Sequence, residues 1–239
     1  MGTLALITIG QSPRTDLTPE LKELLPVGTT LLERGALDAL TTDEINAMTP
    51  RDGDVVLTSR LRDGTAAIMG RQPLIARLQD LISSVETEAD VLMLACTGEF
   101  PAFSHTTPLI EPDVEIRKAV AANTASHGSV GIICPLVDQQ ESSVEKLAAG
   151  LPPTVQFFTA VATPYSTGQT ALAEAAVALH DSGVDLIVLD CIGYTEAMGR
   201  LVEEICGVPV LLSRAVAGQV AAALLTGLGR AKPSNHPTT

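Results

Sequence analysis

Tryptophan is absent from this 239-residue chain, and aromatic residues make up only 3% of it, two tyrosines and four phenylalanines. So few flat rings exclude a stacking platform for nucleic-acid bases. The core must instead be built from Val, Leu, Ile and Ala, a choice that suits parallel strands covered by helices on both faces. Positive charge is also scarce: 15 Lys and Arg stand against 28 Asp and Glu, a net charge of −13. That excludes the basic stripe needed to bind nucleic acid or an anionic membrane surface. A small anionic ligand stays open, because backbone N–H groups at a helix start can oppose the global field.

Long apolar runs are missing as well. None reaches the roughly 18 residues of a membrane span. The opening MGTLALITIG is short, has no basic flank and leads into the polar QSPRTD, so it reads as a first strand and not as a signal peptide. Cysteine is sparse and scattered, at Cys96, Cys134, Cys191 and Cys206, with no CxxC pair and no His at ligand spacing. A structural zinc site and a disulfide framework are therefore not expected. Free thiols in a reducing, cytoplasmic setting are.

What is present is an α/β alternation. Strand candidates run Leu4 to Ile9, Thr30 to Glu33, Asp54 to Thr58, Val91 to Ala95, Val130 to Cys134, Val155 to Thr159, Leu186 to Asp190 and Val208 to Leu212. Between them lie helical patterns. Leu17, Leu21, Leu24 and Leu25 share one side of the segment from Asp16 to Leu25, and Leu74, Leu78, Leu81, Ile82 and Val85 do so from Pro73 to Val85. Further helices are expected over 111–126, 138–149, 167–182, 195–206 and 214–225. Strand and helix in alternation predict a largely parallel sheet.

The second half repeats the first in outline. SVGIICPLVDQQ answers TLALITIGQSPRTD, and GVDLIVLDCIGYTE answers EADVLMLACTGEF. Two similar Rossmann-like lobes follow, related by a pseudo-twofold axis with the active site in the cleft between them. The expected division is 1–115 for the first lobe, joined by a C-terminal helix at about 213–228; 116–212 for the second; and 229–239 as a flexible tail. The repeat puts Cys96 and Cys191 at the carboxyl ends of equivalent strands, where open α/β sheets place their ligands. Two thiols on opposite faces of a carbon acid would let one remove a proton and the other return it, which is racemisation without a metal or cofactor. A single nucleophilic cysteine in the same cleft would serve decarboxylation or cis-trans isomerisation. A non-catalytic anion-binding or regulatory protein is the alternative from another class. Buried core thiols are common, and Cys134 and Cys206 read as that.

ACTGEF and DCIGYT, each after an aliphatic strand in one of two duplicated halves, resemble the aspartate/glutamate racemase superfamily. LALITIGQSPRTDL, LTSRLRDG, GIICPLVDQ, LDCIGYTEAM and GVPVLLSRAVAGQVAAALL together resemble its AroM branch over nearly the whole chain. The resemblance implies a cofactor-independent racemase or isomerase acting on a small carboxylate. It implies carboxylate contacts from Gln11, Ser12, Thr58, Ser59 and Thr97, with Cys191 and the Ile192 and Gly193 amides opposite. Gly98, beside Cys96 and Thr97, completes the expected first wall. The superfamily's racemases carry Cys-Asn-Thr and Gly-Cys-Thr, whereas this chain has Cys-Thr-Gly and Asp-Cys-Ile.

Other residues stand out individually. Arg14 and Arg60 follow strand ends and suit bidentate binding of a carboxylate, against the commoner fate of a surface ion pair. Tyr165 could donate to a substrate oxygen or pack between lobes. His105 has no partner readable from the sequence. Strand alternation turns Asp190 away from the neighbouring thiol, toward capping or a contact between lobes. The GQSPRTDL turn has neither GxxxxGK[ST] nor GxGxxG, which speaks against a nucleotide cradle. A homodimer is the base-rate expectation for assembly.

Overall fold

The computed structural model describes residues 2–124, 128–166 and 168–231. The first half begins with β1 (Thr3–Thr8), α1 (Thr18–Leu24) and β2 (Thr30–Gly35). It continues through α2 (Thr42–Asn46), a hairpin of β3 (Val56–Arg60) and β4 (Ala66–Gly70), α3 (Gln72–Val85), β5 (Val91–Ala95) and β6 (Leu109–Ile110). After α4 (Pro112–Asn123) the second half runs β7 (Ser129–Cys134), α5 (Gln140–Ala148), β8 (Gln156–Val161) and α6 (Thr170–Asp181). It ends with β9 (Leu186–Leu189), α7 (Glu196–Cys206), β10 (Val210–Leu212) and α8 (Ser213–Ala231).

Two parallel four-stranded sheets result, in the orders β2-β1-β5-β6 and β8-β7-β9-β10. The orders are equivalent strand for strand, so β5 and β9, which carry the two cysteine loops, occupy the same place in their sheets. Both are continuous aliphatic runs, VLMLA and LIVL, buried at every position. Such strands need helices on both faces. On the first sheet α3 supplies one, with Leu74, Leu78, Ile82 and Val85 on a single buried stripe. On the second, α7 is held by the Thr195 hydroxyl, which accepts from the Met198 N–H at 3.2 Å, and ends at Gly207 in the left-handed conformation (φ +68°).

The opposite faces are covered by exchange. Helix α4 leaves the first sheet and packs Ile116 and Val120 against Val130, Ile132, Leu186 and Val188 of the second. Helix α8 leaves the second sheet and packs Ala217, Ala221 and Leu225 against Leu4, Leu6, Val91 and Met93 of the first. The two helices also lie against each other. Full burial of one Leu or Val in such a contact contributes about 1.5–3 kcal/mol.

All eight expected strands and seven expected helices are present, with shifted ends. Three elements are additional: α2, β4 and β6. Strand β4 reads AAIMG, with little β-branched character, and only pairing with β3 across the Asp63-Gly64 turn makes it a strand. The expected reach of α4 to 126, the expected start of α6 at 167 and the expected tail beyond Ala231 fall outside the described residues. No helix among the described residues is long and apolar enough to cross a membrane.

Candidate active site at the paired cysteine loops

Each cysteine loop repeats the same local geometry. Cys96 directly follows β5, and its Sγ accepts the N–H of Gly98 at 3.3 Å. Cys191 follows β9 by two residues, and its Sγ accepts the N–H of Gly193 at 3.4 Å. Both glycines stand in close approach to a neighbouring side chain. A Cβ at Gly98 would lie 2.5 Å from Leu57 Cδ2, and one at Gly193 would lie 2.7 Å from the Tyr165 ring. The Tyr165 hydroxyl is 3.7 Å from Cys191 Sγ. The two loops line one cavity of about 150 Å³, walled by residues of both halves. Each thiol is almost wholly buried, 8% exposed at Cys96 and 6% at Cys191.

Burial sets the resting ionisation. It pushes the Cys96 thiol up to about 12, against the opposing pull of the Gly98 N–H. It raises Cys191 too, offset by Gly193 and Tyr165. Both sulfurs therefore rest as neutral thiols at pH 7. Cys134 and Cys206 are core residues: their thiols face the carbonyls of Leu136 and Ala176, at 3.4 and 3.2 Å.

A buried ion pair fastens the two loops together. Lys146, on α5, donates to the Asp190 carboxylate oxygens at 2.7 and 2.8 Å and to the Thr97 carbonyl at 2.8 Å. Ser143 Oγ donates to the same carboxylate at 2.7 Å, and Thr97 Oγ1 donates to the Asp190 carbonyl at 3.2 Å. The residue after one cysteine is thus bonded to the residue before the other. Behind the second loop, Arg214 at the start of α8 donates to the carbonyls of Ile192 and Gly193 and pairs with Glu20 of α1 at 2.7 Å. Arg14 also lines the cavity, 2% exposed, with its Nε and Nη2 bound side-on to Asp16 at 2.8 and 2.7 Å. Burial works against its charge, the hydrogen-bonded Asp16 carboxylate opposes that, and the net direction is upward, so the guanidinium stays ionised.

Of the residues singled out from the sequence, Thr58, Ser59, Thr97, Gly98, Tyr165 and Ile192 line the cavity with the two cysteines. Gly193 lies directly behind Cys191, against Tyr165. Gln11, Ser12 and Arg60 are not in the lining. The Gln11 side chain accepts from the Arg62 N–H at 3.0 Å, Ser12 Oγ donates to Asp38 at 2.6 Å, and Arg60 reaches over the hairpin turn at Gly64. His105 is exposed, with Nδ1 2.9 Å from the Thr107 carbonyl. Asp190 faces α5 and takes part in the contact between halves.

Lys146, Ser143, Arg71 and Gln139 line the cavity without having been singled out. The only signal for Lys146 was a lysine beside Leu147 in SSVEKLAAG, and long charged side chains commonly flank apolar stripes without being buried. Five buried side-chain polar atoms have no hydrogen-bond partner among the described residues, and three of them, Ser59 Oγ, Arg71 Nε and Gln139 Oε1, belong to cavity-lining residues. Leaving such an atom unsatisfied costs about 1–3 kcal/mol. Their concentration here gives the cavity a polar wall with unused hydrogen-bonding capacity. Among the described residues no group of three His, Cys, Asp or Glu side chains could hold a metal.

Solved structures share this architecture across almost the whole chain. An unliganded arylmalonate decarboxylase superimposes with a TM-score of 0.61 at 17% identity, covering 100% of this chain and 96% of that one. Allantoin racemase from Pseudomonas fluorescens gives 0.61 at 14% identity, with 99% of each chain covered. Glutamate racemase from Francisella tularensis, in complex with D-glutamate, gives 0.63 at 13% identity, covering 98% and 84%. The chain shares the two-lobed α/β fold of this decarboxylase and these racemases. Residues 4–225 match the family model described as AroM protein, and the chain belongs to the AroM family. Among curated proteins none matches it in sequence.

Proposed function

We propose that the protein is a cofactor-independent racemase or isomerase of a small carboxylate or related carbon acid, with Cys96 and Cys191 as its acid and base. The observation that carries this reading is the shared cavity, into which both halves bring a cysteine whose sulfur accepts the N–H two residues on. In the reaction, the thiolate of one cysteine takes the proton on the carbon next to the carboxylate. The bonding pair moves into the carboxylate as an enediolate. The thiol of the other cysteine then delivers its proton to the opposite face and is left as the thiolate. Protonation is conserved over the turnover, and the reverse reaction exchanges the two roles. The similar folds of racemases and a decarboxylase support carbon-acid chemistry in this type of cleft. We place the reaction in the reducing cytoplasm, where the four free thiols persist.

The test is deuterium incorporation from D₂O into amino acids, hydantoins, 2-substituted malonates and small dicarboxylates, read by mass spectrometry. Wild type should exchange at least one class, and Cys96→Ser and Cys191→Ser should each abolish it. Silence across the panel, with ligand binding still detectable by thermal shift, would replace the enzyme by a binding protein.

A further inference from the structure

Arg14 and Arg71 both line the cavity, but they use the same edge of the guanidinium differently. Arg14 spends its side-on edge, Nε with Nη2, on Asp16. Among the described residues the side chain of Arg71, at the head of α3, donates only through Nη1, to the Glu99 carbonyl at 3.0 Å. Its Nε is buried without a partner, and no carboxylate among the described residues pairs with it. A fork of two parallel N–H donors on an unneutralised cation matches a carboxylate in geometry and charge. Glu99 lies three residues after Cys96, so the contact through Nη1 fixes this fork beside the first cysteine loop.

Gln139 presents the opposite requirement. Its Nε2 donates to the Val56 carbonyl at 2.9 Å, which fixes the amide orientation and leaves Oε1 as a buried acceptor without a donor. Arg71 and Gln139 flank one short stretch of chain, since the Arg71 backbone N–H donates to the Val55 carbonyl at 3.0 Å. One comes from the first half and the other from the second. A ligand that satisfies both must offer a carboxylate to one and an O–H or N–H to the other. A fully ionised dicarboxylate has no such donor.

Resting on the reading of this cavity as a substrate site, we propose that Arg71 binds the substrate carboxylate and that Gln139 selects substrates with a neighbouring hydroxyl, amino or amide donor. The substrate class is then a hydroxy-, amino- or amide-bearing small carboxylic acid, in preference to a plain dicarboxylate.

The test measures binding by calorimetry to the full-length Cys96→Ser/Cys191→Ser protein, so that turnover does not interfere. Succinate is compared with malate, which adds a hydroxyl donor, and with succinamate, which has an amide donor in place of one carboxylate. At least one of the two should bind about tenfold more tightly than succinate. Arg71→Lys, which keeps the charge but loses the fork, should weaken all three by about tenfold or more. Gln139→Met should erase the preference for the hydroxyl- and amide-bearing acids over succinate. Equal binding of the three acids, no binding by any of them, or unaltered binding by Arg71→Lys would overturn the proposal. The preference with no deuterium exchange by wild type would refute the catalytic reading alone. Exchange by wild type with no effect of Arg71→Lys on binding would refute this inference alone.

Discussion

Lys146 Nζ lies 2.7 Å from an Asp190 carboxylate oxygen and 2.8 Å from the Thr97 carbonyl, so a single ammonium group ties the second cysteine loop to the first. Both side chains are buried, at 5% and 2% exposure. Removing the cation strands a carboxylate that is only 2% exposed. Lys146→Met should cost about 3–5 kcal/mol in urea unfolding. Adding Asp190→Asn should recover part of that loss, because the uncompensated charge is then gone. A double variant as destabilised as the sum of the single variants would show that the pair is not coupled.

The buried thiols make stability depend on alkaline pH. A folded-state pKa raised above the ordinary 9.0 means that the native state holds its proton where the unfolded chain releases it. Stability is complete below about pH 9 and declines above it, toward about 12 for Cys96, by up to about 1.4 kcal/mol per pH unit per thiol. Cys96→Ala should have a flatter decline in melting temperature between pH 8.5 and 10.5 than wild type. Parallel curves would contradict the raised value.

The same ionisation governs rate. With neutral resting thiols, the fraction carrying one thiolate grows about tenfold per pH unit below the lower of the two pKa values. Deuterium exchange under subsaturating substrate should therefore rise with near-unit logarithmic slope from pH 6.5 to 8.5. A flat profile would point to a resting thiolate or to a different base.

Gly193 and Gly98 should differ in their tolerance of a methyl group. At Gly193 the added Cβ meets the Tyr165 ring at 2.7 Å, whereas at Gly98 it meets the mobile end of Leu57 at 2.5 Å. Gly193→Ala should cost about 1–3 kcal/mol and Gly98→Ala less. Trimming the obstacle in the double variant Gly193→Ala/Tyr165→Ala should make the glycine substitution nearly neutral relative to Tyr165→Ala. Thermal unfolding of the four variants decides this.

Much of the fold was legible because its main signals are local: aliphatic runs for strands, apolar spacing for helices and a repeat detectable by eye. The hairpin partner β4 was not, since AAIMG becomes a strand only through its pairing. At the site, Cys96 and Cys191 stood out because each follows an aliphatic run and stands two residues before a glycine. Thr58, Ser59, Thr97 and Tyr165 were named with them and share their cavity. Lys146, Arg71 and Gln139 sit on helix and turn positions that look like ordinary polar surface in one dimension. Their meaning lies in unpaired or long-range contacts, such as Gln139 to Val56 across 83 positions of sequence. Gln11 and Ser12, which the resemblance implied as carboxylate contacts, are bonded to Arg62 and Asp38 and lie outside the cavity lining.

The exchanged helices carry a consequence for how the chain is made. The first sheet leaves the ribosome early, yet α8, which covers one of its faces, begins at Ser213 and is among the last segments to emerge. The second sheet has the reverse fortune, because α4 precedes it and is waiting when its strands appear. Vectorial synthesis therefore completes the later half first and leaves the earlier half open, its apolar face exposed to chaperones or to misassociation, until the final helix docks.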